Sequence, residues 1–60
     1  MQVYIRIEGQ CVEATLHQHT VKRTGASSVA VATLLNGHLV QVKRQTPKHA
    51  WSFVKLFTNN

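Results

Sequence analysis

Apolar and polar residues alternate with a period of two in two stretches of the chain, which marks strands with one buried face. In the first stretch Val3, Ile5 and Ile7 alternate with Gln2, Tyr4 and Arg6. After Glu8-Gly9, Val12, Ala14 and Leu16 alternate with Cys11, Glu13 and Thr15. A two-residue turn at Glu8-Gly9 predicts Ile5 opposite Val12 and Val3 opposite Ala14. All four then share a face, which a slip of one residue would destroy. Glutamate disfavours positive φ, so a bulged form of the turn is the alternative.

The second stretch is the stronger signal. Residues 29–35 (VAVATLL) and 38–44 (HLVQVKR) flank Asn36-Gly37, the dipeptide that best fits a type I′ hairpin turn. A two-residue turn there predicts Val31 opposite Val42 and Thr33 opposite Val40 on one face. On the other face Ala30 meets Lys43, Ala32 meets Gln41 and Leu34 meets Leu39. Residues 17–28 lack a period and read as a long basic loop or as an extension of the second strand. Pro47 breaks the chain after Gln45-Thr46. Residues 50–57 (AWSFVKLF) then read as a fifth strand, and Asn59-Asn60 should fray. The expected fold is all-β: one small domain over residues 1–60, a five-stranded SH3-like or Sm-like barrel.

Composition supports strands. Val, Ile and Thr supply 16 of 60 residues, whereas five Ala, five Leu and two Glu are thin stock for helices. Sixty residues make a marginal core, and a lone cysteine, Cys11, cannot form an internal disulfide. Self-association is the expected reinforcement. No apolar run approaches the roughly 20 residues that span a bilayer, and Met1-Gln2-Val3 does not open a signal peptide. A soluble, cytoplasmic chain without a membrane partner is expected.

Charge directs the functional reading. Seven Lys and Arg against two Glu give a net charge of +5, and so one-sided a surface attracts polyanions. The basic residues cluster as Lys22-Arg23 in the long segment, Lys43-Arg44 at the end of the fourth strand, and Lys48-His49 after Pro47. Lysine meets phosphate as a point charge and arginine as a fork. Tyr4 points outward beside Arg6, where a base could stack. Trp51, Phe53 and Phe57 fall on one face of the last run, with Val54 and Leu56 on the other. A strand apolar on both faces is buried on both, which predicts a subunit interface in a homodimer or small ring. His17 and His19 share one side of a strand without a third ligand, so no metal is expected. With Glu8 and Glu13 the only acidic side chains, and Cys11 read as a small structural residue, neither catalysis nor a cofactor is expected.

Two resemblances follow from these residues. The segment 3–16 (VYIRIEGQCVEATL) resembles the first Sm motif of Hfq-like RNA-binding proteins, and Lys48-His49-Ala50 is similar to the Lys-His-Ala of their second motif. That resemblance implies a barrel in which Lys48 and His49 contact RNA near a ring's pore. Residues 20–37 (TVKRTGASSVAVATLLNG) resemble instead the helix-turn-helix of Cro- and LacI-type repressors, with Gly25 in the turn and Val31 and Leu34 at apolar positions. This implies an α+β Cro-like fold with a C-terminal hairpin that reads duplex DNA. The leading expectation is a small basic module that binds nucleic acid, RNA or a single strand, through Lys22, Arg23, Lys43, Arg44, Lys48, His49, Tyr4 and Arg6. The alternatives are a DNA repressor and a small protein-interaction or inhibitor module that adds an edge strand to its target.

Overall fold

The first alternating stretch folds in the register its own pattern requires. In the computed structural model, which describes residues 1–57, β1 (Gln2–Ile7) runs antiparallel to the start of β2 (Gln10–Thr24). Val3 faces Ala14 and Ile5 faces Val12. The turn carries no bulge: Glu8 at φ 50° and Gly9 at φ 80° both adopt left-handed backbone, as a type I′ turn demands. Holding a glutamate there costs roughly 1 kcal/mol. Full burial of Ile5 and Ala14 outweighs that cost.

Of the two expectations for residues 17–28, the extended strand is the one that forms. β2 continues to Thr24, reverses at Gly25-Ala26, and pairs with β3 (Ser27–Leu34). The ladder breaks once. His17 pairs with Val31 and Lys22 with Val29, so four residues of β2 stand against Ala30 alone. Thr20 bridges the gap: its hydroxyl accepts the Val31 N–H at 2.8 Å and donates to the His17 carbonyl at 2.6 Å. A side chain thus supplies the bonds that the ladder lacks there, and the bulge bends the strand.

The helix-turn-helix reading does not hold, because residues 20–37 are strand, turn and strand, and the described residues contain no helix. Valines alternating with Ala30 and Ala32 suit a pleated sheet, and Gly25, at φ 64°, serves a hairpin turn.

The second hairpin forms at Asn36-Gly37, one residue out of the expected register. β3 pairs with β4 (Leu39–Arg44) through Ala30–Val42, Ala32–Val40 and Thr33–Leu39. The turn is the cause. The Leu34 carbonyl accepts the Gly37 N–H at 2.9 Å, and the Leu34 N–H donates to His38 at 2.9 Å. Gly37 lies at φ 91°, whereas Asn36 does not take positive φ; its side chain accepts the His38 N–H at 3.0 Å. This is a three-residue loop, a type I turn closed by a left-handed glycine, rather than the two-residue type I′ form. One extra loop residue exchanges the faces. Ala30 and Ala32 turn inward with Val40 and Val42, and Val29, Val31 and Thr33 turn outward.

β5 (Trp51–Leu56) runs antiparallel to β4 and meets β1 in parallel through Ile5–Trp51 and Arg6–Ser52, closing a five-stranded barrel. Every strand contributes to one core: Ile5, Ala14, Leu16, Ala30, Ala32, Val40, Val42 and Trp51. Three alanines leave room for the indole, which is 4 % exposed. Trp51 therefore leaves water inside its own barrel, without a second subunit. A bulge in β5 corrects the expected aromatic face. Val42 pairs with Phe53 but Gln41 with Lys55, so Val54 is the extra residue. Phe53 packs on the core, whereas Phe57 lies beside Gln41 on an outer groove. No helix of the described residues is long and apolar enough to cross a membrane.

Candidate functional site

β4 delivers Lys43 and Arg44 to one end of the barrel, and the connection to β5 brings the chain back beside them. That connection is a hydrogen-bonded turn. The Thr46 carbonyl accepts the His49 N–H at 3.0 Å, with Pro47 at the second position, where its fixed φ suits the turn. The Thr46 hydroxyl accepts the Lys48 N–H at 3.2 Å and lies 2.8 Å from His49 Nδ1.

These elements and β1 enclose an open cleft of about 490 Å³. Arg6, Lys43, Arg44, Lys48 and His49 all line it, and no carboxylate of the described residues does. Four of the five lie within residues 43–49, around the β4–β5 turn, and Arg6 joins them because the barrel closes. Glu13 is engaged with the Gln2 side chain on the other side of β1. Four permanent cations with no counter-charge among the described lining residues sustain a positive potential that an anion relieves.

The strand registers extend this pattern. Lys22 pairs with Val29, Val29 with Lys43, Lys43 with Ser52, and Ser52 with Arg6. Lys22, Lys43 and Arg6 thus form one row across the outer face, separated by uncharged residues. Successive cations in the row stand two strand spacings apart, roughly 10 Å.

The remaining candidates lie elsewhere. Arg23 is exposed and pairs with Ser28 near the β2–β3 turn. Tyr4 is 63 % exposed on the outer face of β1, two residues from Arg6 but outside the cleft lining. Cys11, expected to be structural, is exposed opposite Arg6, because the turn at Glu8-Gly9 assigns it to the outer face. The rings of His17 and His19 stand 5.9 Å apart, His17 bonds to the Thr33 hydroxyl at 2.7 Å, and no third metal-binding group joins them among the described residues.

The contact between two residues already singled out, Arg44 and Trp51, escaped the sequence reading. The Arg44 guanidinium lies 4.4 Å from the centroid of the Trp51 ring, and its Nε is buried without a hydrogen-bond partner. The indole thus packs against a residue that lines the cleft. The available signal was weak: two residues seven apart, either side of a proline turn, can face each other across a hairpin.

No family model, curated protein or solved structure matches the chain significantly.

Proposed function

We propose that this barrel is a nucleic-acid-binding module, without catalysis, whose cleft seats the phosphodiester backbone. The observation that carries this reading is the meeting of Arg6, Lys43, Arg44, Lys48 and His49 in one concavity that no carboxylate of the described residues lines. Arginine forks and lysine point charges suit phosphate oxygens, and the row through Lys22 offers a track beyond the cleft. The five-strand order, with β1 closing on β5 and a short connection after β4, supports an SH3-like or Sm-like barrel. Lys48 and His49, the residues of the Sm-like resemblance, lie in the cleft lining. The test is fluorescence anisotropy with a labelled 12-nucleotide RNA at physiological salt. Saturable binding by the wild type, lost in Arg6→Gln/Lys43→Gln/Lys48→Gln, is expected. Equal binding by the two proteins, or none by the wild type, refutes the assignment.

Assembly into a homodimer or small ring is a second proposal. It rests on Leu39, Val54 and Leu56, which are 45, 40 and 49 % exposed. Apolar side chains of this size in water are a hazard that a second copy removes. Sedimentation at micromolar concentration should give a dimer or larger species that Leu56→Lys reduces to monomer. A monomeric wild type refutes it.

A further inference from the structure

The charged cleft has an aromatic foundation, and that combination narrows the ligand. Arg44 lines the cleft while Trp51, 4.4 Å beneath its guanidinium, does not. Arg44 therefore packs on the indole and also borders the cleft. Arginines in structural roles are usually fixed by a carboxylate or carbonyl acceptor. Here Nε is buried with no hydrogen-bond partner among the described residues, so packing on the indole, rather than hydrogen bonding, holds the group in place. A guanidinium backed by a tryptophan is a flat, cationic, weakly hydrated surface. Unpaired bases stack on such surfaces, and bases within a duplex cannot reach them.

We infer that Arg44, held on Trp51, is a stacking platform for one unpaired base, and that the cleft selects single-stranded over duplex nucleic acid. Lys43, Lys48 and Arg6 then hold the phosphates flanking that base. This rests on the nucleic-acid reading above and adds to it the form of the ligand. It also relocates the stacking function: Tyr4, with an exposed ring outside the cleft, is not the platform.

The experiment separates base from backbone. Affinities of the wild type, Arg44→Lys and Lys43→Gln are measured for three labelled 12-mers: a single strand, the matching duplex, and a strand with abasic sites at its central positions. Arg44→Lys keeps the charge and loses the plane. It should weaken single-strand binding on the order of tenfold, the typical loss for one stacked base, and leave the abasic strand unaffected. Lys43→Gln should weaken both strands alike. Thermal unfolding of each variant followed by Trp51 emission establishes that the barrel is intact. A variant that unfolds is replaced by Arg44→Gln with an equimolar comparison of abasic and normal strands on the wild type, which alone must differ. Equal affinity for abasic and normal strands, or a preference for duplex, overturns the stacking platform while leaving the phosphate cleft standing. Binding to none of the three oligonucleotides, together with capture of an acidic protein, overturns both.

Discussion

Lys43 and Lys55 lie on the same face of adjacent strands, and replacing either lowers the net charge from +5 to +4. Lys43 lines the cleft; Lys55 does not, its ammonium standing 5.9 Å from the Phe57 ring. If affinity came from net charge alone, Lys43→Gln and Lys55→Gln would behave alike. If the cleft seats phosphates, the two separate in the salt dependence of binding, because only contacted phosphates release condensed counterions. With Arg6, Lys43 and Lys48 each neutralising one phosphate of a single strand, log K should fall with log salt at a slope of about −2.1. Doubling the salt then weakens the wild type about fourfold. Lys43→Gln leaves two contacts and a slope of about −1.4, or roughly 2.6-fold per doubling, and Lys55→Gln keeps the wild-type slope. Anisotropy titrations of a labelled 12-mer at four salt concentrations give all three slopes. Coincident slopes for the two variants would refute the cleft and leave a diffuse basic surface in its place.

Two stability predictions test the fold that builds this site. Glu8→Asn places in the left-handed turn position a residue that tolerates it, and should stabilise the barrel by about 0.5–1 kcal/mol, raising Tm by several degrees; an unchanged or lower Tm in a thermal scan counts against the type I′ assignment. In the second hairpin, inward Ala32→Val should destabilise by about 1–3 kcal/mol through overpacking, whereas outward Val31→Thr should change stability by under about 0.5 kcal/mol; denaturant melts showing the reverse order would restore the two-residue turn.

The two hairpins differ in how far sequence alone determines them. In the first, Ile5 and Ala14 fall on one face only with the two-residue turn, so burial dictates the register even against the preference of Glu8. In the second, β3 alternates valine with alanine, and both are acceptable in a core. The turn then decides, and Asn-Gly is compatible with more than one loop. The local dipeptide implies the two-residue form; the loop of three gives room for Trp51 by turning Ala30 and Ala32 inward. That requirement comes from β5, across the barrel, and no local pattern in residues 29–44 expresses it. The four-residue bulge at β2 is similar, since it depends on the Thr20 hydroxyl meeting the Val31 amide eleven residues later.

The same reasoning explains what was legible of the site. Charge can be read residue by residue, and five of the eight expected binding residues converge on one cleft. Lys43, Arg44, Lys48 and His49 meet locally around the β4–β5 turn, whereas Arg6 joins them through the parallel seam between β1 and β5, which pairs it with Ser52 and has no signature in either strand. The platform is harder still to read, because each of its members has a sufficient ordinary explanation: Trp51 as core, Arg44 as one more surface cation. Only the distance between them, and the absence of an acceptor at Nε, turns a buried aromatic and a basic residue into a single surface. A barrel that used Trp51 solely for packing could have covered it with any aliphatic side chain. Covering it with an arginine that lines a cleft shared with three further cations couples the stability of the core to the chemistry of the site.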